Sequence, residues 1–439
     1  MELDPEIPFF EVDSEMKYEP WIARKLMASG GGGFTRVILW IATGAVGLSV
    51  AVMIVSLALM TGFKHEITRK MFGFWGHIHI SDPRSIRSYE ALPFEYDTSL
   101  VHSIENIRKV EFTQPVYGKP AKQLSSVGGV HHVQAYIYLP GIITQDEQME
   151  GIILKGIGKD YDWNNINQYR VSSTPWSSLE VDELIISHIT ADRLRLKEGD
   201  KLVLYFVREN QPLPRRFKIK GIYKTGLEEN DARFALASIE RVREVLGWKE
   251  DQVSGLEIAI ENIDDLDLIT EYVYQEEIPA HLYAENIREK FPSLFEWLAL
   301  QDINTIVIIG LMLAVAVINM ITALLILILE RTQMIGILKS MGARDSSIRQ
   351  VFLWFAMFIT IGGILIGNIL GLGLAFLQDR FRFIKLDEAD YYLDYAPVMV
   401  MPWHLIAVNI GALLIIGVCL IAPSFLVSKI NPIKTIHFD

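Results

Sequence analysis

Four stretches of this chain, residues 37–61, 303–329, 351–377 and 403–428, contain no Asp, Glu, Lys or Arg. A bilayer core about 30 Å thick is crossed by about 20 apolar residues at about 1.5 Å each, so every one of these runs can span with some tilt. A single such run could be a buried helix of a soluble enzyme, but four in one chain of 439 residues set the fold. All 94 charged residues fall in the remaining 334 positions, a density normal to high for water-soluble protein. This excludes a uniform soluble globule, a disordered chain and a disulfide-stapled secreted domain. The expected fold is a membrane protein: four transmembrane α-helices with a large α+β extracytoplasmic domain inserted between helices 1 and 2.

Orientation follows from the basic residues of the short connections. Lys17, Arg24, Lys25 and Arg36 precede the first run, Arg331, Lys339, Arg344 and Arg349 separate the second from the third, and Lys429 and Lys434 follow the fourth. Both termini and the middle connection are therefore expected to be cytoplasmic. The expected organisation is an acidic cytoplasmic tail (1–16), an N-terminal amphipathic surface helix with a Gly-rich linker (17–36), a first span (37–63) and the extracytoplasmic domain (64–302). A second span (303–329), a cytoplasmic coupling loop (330–350), a third span (351–377), a short extracytoplasmic loop (378–402), a fourth span (403–428) and a cytoplasmic tail (429–439) complete it. The domain over 64–302 carries 28 basic and 38 acidic residues, so nucleic acid is not an expected partner. The first fifteen residues hold six acids and no Lys or Arg, the reverse of a cleavable signal. Cys419, the single cysteine, lies in the fourth run, where a small apolar packing role is expected.

Within 64–302 the pattern mixes strands and helices. Residues 202–207 and 217–223 read as strands, and 208–214 between them as a hairpin loop, because its prolines cannot serve a central ladder. Residues 188–196, 238–246 and 261–276 read as helices, with Glu198-Gly199-Asp200 a turn. Chemistry-bearing motifs are scarce. Gly158-Lys159-Asp160 lacks the first glycine and the hydroxyl of a phosphate-cradling loop, so no ATP site is expected here. His77 and His79 alternate on an expected strand and His131-His132 form a second pair, but no Cys or convergent carboxylate pattern accompanies them, and they read as surface or partly buried imidazoles with no metal. No nucleophile elbow and no zinc-protease motif occurs. The spans hold no charged relay; Asn319, Thr322, Asn368 and Asn409 are neutral and suit interhelical hydrogen bonds, and Gly363, Gly367 and Gly371 suit close approach of another helix.

The connection over 330–350 is the most informative segment. Ile335, Leu338 and Met341 are expected on one face of a short helix, with Gly342 a stop and Asp345 or Ser346 a cap for the next helix. Such a helix suits the membrane surface or a groove on a partner equally. Here the sequence resembles the FtsX/MacB superfamily of ABC permeases, and within it the LolC/LolE lipoprotein-releasing type. The family's coupling pattern, Arg-x-x-Glu-Ile-Gly-Ile-Leu-Lys-x-Leu-Gly-Ala, is matched by Arg331, Ile335, Gly336, Ile337, Leu338, Lys339, Gly342 and Ala343, with Met334 in place of the acid. Residues 18–26, 59–66 and 185–200 resemble the family's surface helix, the end of its first span and a helix–turn of its external domain. The Tyr-Tyr…Pro-Val stretch over 391–398 resembles a signature of the Lol type, and Asn431-Pro432 the family's C-terminus.

The resemblance implies two permease subunits, identical or homologous, flanked by two ATPases of the LolD kind in the bacterial inner membrane, with the large domain periplasmic. ATP and Mg would belong to the ATPase, leaving no cofactor and no enzyme activity on this chain. The helix with Arg331, Met334, Ile335, Gly336, Ile337, Leu338, Lys339, Gly342 and Ala343 would dock on the ATPase. A triacylated lipoprotein would enter from the membrane lipids through a cavity lined by Met53, Leu57, Met60 and Phe63 of span one and Ile306, Ile309 and Leu313 of span two. A periplasmic chaperone would meet the hairpin at Arg208, Pro212, Pro214 and Arg215. Two other family roles stay open: mechanical activation of a cell-wall hydrolase, as in FtsX, and export of peptides or amphiphiles, as in MacB.

Overall fold

The computed structural model describes residues 18–28, 33–85, 89, 92–114, 122–145, 148–208 and 210–429. The acidic tail over 1–16, the linker at 29–32 and the Asn431-Pro432 dipeptide lie outside them. Eight described helices reach eight residues or more: α1 (Tyr18–Ala28), α2 (Gly33–Trp75), α3 (Thr98–Glu105), α4 (Ile239–Leu246), α5 (Pro292–Glu330), α6 (Thr332–Ser340), α7 (Asp345–Phe381) and α8 (Pro402–Ser424). The chain divides into one unit of 1–63, 300–383 and 397–439 and another of 64–299 and 384–396.

The first unit is built on α2, α5, α7 and α8, the four helices long and apolar enough to cross a membrane. Three exceed a bilayer span. The 43 residues of α2 rise about 65 Å, roughly twice a hydrocarbon core. Helix ends therefore do not coincide with the ends of the uncharged runs: α2 continues to Trp75, α5 begins at Pro292 and α7 continues to Phe381. Lipid demands a helix only where water is absent, whereas Ile67 and Met71, buried beyond the run, show that apolar packing carries α2 further.

Close packing inside this unit follows the glycine row. A Cβ on Gly363 would lie 2.7 Å from the Val46 Cβ, and one on Gly367 would lie 2.6 Å from the Gly47 carbonyl oxygen. Helix α7 thus receives α2 backbone to backbone, the approach small residues permit in lipid. At the next residue, Asn368 exchanges two amide hydrogen bonds of 2.9 and 3.1 Å with Asn409, tying α7 to α8. Buried Thr360 instead returns its hydroxyl to the Ala356 carbonyl. Helix α1 lays Ala23 against the core and packs on α7, leaving Trp21 exposed with the Lys25 Nζ 4.7 Å from its ring centroid.

The second unit centres on nine strands: β1 (Ile78–Ser81), β2 (Val130–Gln145), β3 (Gln148–Ile157), β4 (Glu183–Ser187), β5 (Lys201–Arg208), β6 (Gln211–Tyr223), β7 (Phe234–Ser238), β8 (Gly255–Ile260) and β9 (Tyr283–Asn286). Their order is β9-β1-β8-β2-β3-β7-β4-β6-β5, and the far end of β2 also pairs with β5 through Ile142 to Thr144. The second pairing closes a ring of six strands, from which β8, β1 and β9 extend as an open wing. Strand β5 alternates Leu202, Leu204 and Phe206 inward with Lys201, Tyr205 and Val207 outward, the period of a one-sided strand. Helix α4 caps its start with Ser238 and ends on Gly247 at φ +72°.

The hairpin expectation is corrected. Residues 208–214 are not a loop: β5 and β6 pair through Arg208↔Gln211, Val207↔Pro212 and Tyr205↔Pro214, leaving only residues 209–210 for the turn. Asn210 sits at φ +61°, a conformation Asn tolerates in tight hairpin turns. Pairs alternate between hydrogen-bonded and non-bonded in an antiparallel ladder, so Pro212 and Pro214, two apart, share the non-bonded positions. Strand β4 pairs with β6 only from Lys218 to Tyr223 among the described residues, so the prolines lie outside that ladder and their missing donors cost nothing there.

Candidate functional site

The connection between α5 and α7 breaks at Arg331 and restarts as α6, nine residues long. Its inner face holds Ile335, fully buried, and Gly336, with Met334, Leu338 and Ala343 packed on the same core. Lys339 is tied inside the chain: its ammonium lies 3.0 Å from an Asp345 carboxylate oxygen and donates to the Ser428 carbonyl at 3.3 Å. The outward face carries Ile337, 52% exposed, and Met341, 78% exposed. Sequence spacing grouped Met341 with Ile335 and Leu338. The structure separates them, because the helix ends at Ser340 and the chain turns out through Gly342 at φ +89°. What α6 offers a partner is thus two apolar side chains, with Arg344 exposed beside them.

Of the residues expected to line an apolar cavity, Met53, Leu57, Ile309 and Leu313 meet in or against one packed core rather than around an open space. Met53, 2% exposed, belongs to the packed core, and Leu57, Ile309 and Leu313 are partly buried against it. Ile306 is 68% exposed on α5, while Met60 and Phe63 are half-buried. Leu57 lines a shallow open cleft whose walls include Ala58, Met401, His404, Leu405 and Val408, so its neighbour there is α8 rather than α5. Helical position alone could not predict this, since four spans offer each side chain three possible partners. The exposed residues Ile303, Ile306 and Val307 form one apolar stripe along α5.

The β-rich unit holds a buried polar row that sequence reading missed. Glu285, His79, Glu257 and Gln134 stand opposite one another across β9, β1, β8 and β2. Lys155 of β3, fully buried, places its ammonium 2.8 Å from Glu257 Oε1 and donates to the Phe74 carbonyl at 2.6 Å. Gln134 Nε2 donates to Glu257 Oε2 at 2.8 Å, and His79 Nε2 lies 3.6 Å from Oε1. The ammonium also sits over the rings of Phe74 and Trp75. Burial pushes Lys155 below its ordinary value against the pull of Glu257. Burial pushes Glu257 up, and Lys155 and His79 more than offset that, so its carboxyl lies below the ordinary range. An ammonium on the last carbonyls of α2 answers the negative helix end. Two signals were available, a lone Glu in the apolar run over 255–260 and a lone Lys in the run over 152–157.

His79 is therefore neither surface nor half-buried. His77 and His132 line an open cleft of about 370 Å³ with Gln134, Asp162 and Asn165. His132 Nε2 is 2.7 Å from the Asp160 carbonyl oxygen, and among the described residues no three His, Cys, Asp or Glu converge as a metal site. Arg208, Pro212, Pro214 and Arg215 all lie on the distal part of the β5–β6 hairpin, with Arg215 3.6 Å from Glu244.

Residues 306–432 match the family described as FtsX-like permease C-terminal. The chain is 22% identical over 417 residues to the lipoprotein-releasing system transmembrane protein LolE of Haemophilus influenzae, covering 89% of this chain and 92% of that one. It is 22% identical over 441 residues to the corresponding LolC of Neisseria meningitidis serogroup B, covering 96% and 99%. Among solved structures, the extracellular domain of the noncanonic ABC-type transporter YknZ from Gram-positive bacteria covers 48% of this chain and 100% of its own, at 13% identity and a TM-score of 0.30.

Proposed function

We propose that this chain is an FtsX/MacB-superfamily permease of the LolC/LolE type, the membrane subunit of an ABC transporter that extracts lipoproteins from the bacterial inner membrane, a reading supported by its similarity to an FtsX-like permease domain and to LolE and LolC. Both termini and α6 face the cytoplasm in this reading, as the basic residues of the short connections favour, and the β-rich unit is periplasmic. A separate ATPase binds and hydrolyses ATP with Mg, and a second permease, identical or homologous, completes the pair. The observation that carries the reading is α6, a short helix seated on the span core by Ile335 while Ile337 and Met341 stay outside. Burying one CH₂ is worth about 0.8 kcal/mol, so lifting three acyl chains from a bilayer is strongly uphill and needs both coupled hydrolysis and an apolar path. The exposed stripe at Ile303, Ile306 and Val307 on α5, with Ile309 and Leu313 behind it, supplies one wall of that path. Met60 and Phe63 sit nearest the outer end of the uncharged part of α2, and Leu57 opens toward α8. The distal β5–β6 hairpin, with Arg208, Pro212, Pro214 and Arg215, is the surface for a periplasmic chaperone.

The test is mass spectrometry of what co-purifies with the chain from its native membrane in mild detergent. An ATPase together with triacylated lipoprotein supports the reading. An ATPase with a cell-wall hydrolase and no lipoprotein would replace extraction by mechanical signalling. An ATPase with a peptide or small amphiphile would replace it by export. Absence of any ATPase, even after cross-linking at residue 341, would remove the coupling role of α6.

A further inference from the structure

Residues 384–396 join α7 to α8 and pack within the β-rich unit. Their stems pair, with Leu386 N donating to the Asp394 carbonyl and Ala396 N to the Ile384 carbonyl, so the segment is a closed strap. Leu393 is buried at its centre. At the apex Tyr392 stands at φ +60°, and two of its groups are engaged. Its carbonyl accepts the Lys70 ammonium of α2 at 2.9 Å, and its ring meets Trp297 of α5 edge to face at 6.2 Å. Beside it the Lys224 ammonium pairs with Glu388 at 2.7 Å.

The seat for Lys70 is built. A Cβ on Gly226 would lie 2.6 Å from its Nζ, and Gly226 also adopts φ +75°. The turn is held by Asp231, fully buried, whose carboxylate accepts from the Thr225 and Gly226 amides and the Thr225 hydroxyl. One tyrosine on the link between α7 and α8 therefore touches the extensions of both α2 and α5. We propose that the Lys70–Tyr392 contact, steadied by Lys224–Glu388, is a clasp that makes the link between α7 and α8 move with the extensions of α2 and α5, with Lys70 a positioning residue for force transmission. This rests on the transport reading above, and it assigns transmission to a site remote from both ATPase and acyl chains. A free strap would let the link between α7 and α8 answer the nucleotide cycle without moving the extensions of α2 and α5.

The test uses the full complex in proteoliposomes, measuring ATP hydrolysis and lipoprotein release together, for Lys70→Met, Lys224→Glu, Glu388→Lys and the double charge reversal. Hydrogen exchange at the amides of 386–396 is followed in the same preparations. Release per ATP is expected to fall at least tenfold in Lys70→Met with hydrolysis within twofold of the parent. Strap amides should exchange at least tenfold faster while those of β7 stay protected. The double reversal should recover at least half of what either single reversal loses. An unchanged release-to-hydrolysis ratio with a freed strap overturns the proposal, as does a parallel fall of both activities with exchange throughout the unit, which marks a fold defect. Were no ATPase to bind the parent chain, the transport reading would fall; a strap freed by Lys70→Met would then still establish the contact without its role.

Discussion

Replacing Lys155 by methionine removes the ammonium buried beside Glu257 while keeping the length of the side chain. Glu257 is 1% exposed, so its carboxylate would be left with the Gln134 amide at 2.8 Å and the His79 ring at 3.6 Å. Breaking a buried pair from one side costs about 3–5 kcal/mol. In a unit of this size each kcal/mol lowers the melting temperature by about 2–4 °C, so a drop of about 10 °C is expected. The assay is thermal unfolding of the full chain in detergent, followed by tryptophan fluorescence, because Trp75 is buried with the ammonium 5.8 Å from its ring centroid. Two controls separate charge from packing. Lys155→Met with Glu257→Leu replaces the pair by apolar groups and should recover most of the loss. Without its ammonium Glu257 titrates higher folded than unfolded, so its penalty is full above the folded value and shrinks as pH falls; the defect relative to the parent should be smaller at pH 5 than at pH 8. A single variant within about 1 kcal/mol of the parent, a defect equal at both pH values, or a double variant no better than the single would refute the reasoning.

Three further outcomes follow from the geometry. Gly367→Ala places a methyl 2.6 Å from the Gly47 carbonyl oxygen and should lower thermal stability by about 1–3 kcal/mol, whereas Gly373→Ala, with nothing within 4 Å, should leave it unchanged or slightly raised. Met341→Asp and Ile337→Asp should weaken ATPase binding at least tenfold in pull-down titrations without moving the melting temperature, while Ile335→Asp should destabilise the chain itself. His77 is pushed down to about 4 by burial and by the neighbouring His131 and His79, so the unfolded chain binds its proton first. Stability is then full above about pH 6.5 and declines toward pH 4 by about 3 kcal/mol; His77→Phe should flatten that limb of the melting curve against pH.

The spans, the helix between the second and third of them and the glycine row were legible because each is written in local composition. Lack of charge over 25 residues or glycine at every fourth position needs no knowledge of partners. Helix ends were less legible: hydropathy marks where lipid stops, and α2 goes on to Trp75 because Ile67, Met71 and Phe74 find apolar contacts beyond it. The prolines of β6 looked like a loop because tolerance of proline depends on ladder parity, which appears only once Arg208 is set opposite Gln211. Lys155 and Glu257 come from strands a hundred residues apart in sequence, and only the register across β2 and β8 brings their charges together. The match of residues 391–398 to a family signature located Tyr392 without revealing Lys70 and Trp297 as its contacts, since both lie on helices distant in the chain.

The wing of the sheet has a consequence for how the protein is made. Strand β1 pairs with β9, joining Ile78 to Asn286, the first and last strands of the β-rich unit. Entry and exit of the inserted segment thus lie side by side, as a cassette between two helices requires. The same pairing imposes a folding order. The six-strand ring is complete once Ser238 has emerged, whereas β1 must wait for some two hundred residues before its outer partner exists, and closing so long a loop is slow. During synthesis β1 has neither neighbour until β8 is made at Gly255–Ile260 and keeps one open edge until residue 286 arrives, so newborn chains arrested between residues 240 and 254 should display Ile78–Ser81 unpaired and most exposed to wrong partners.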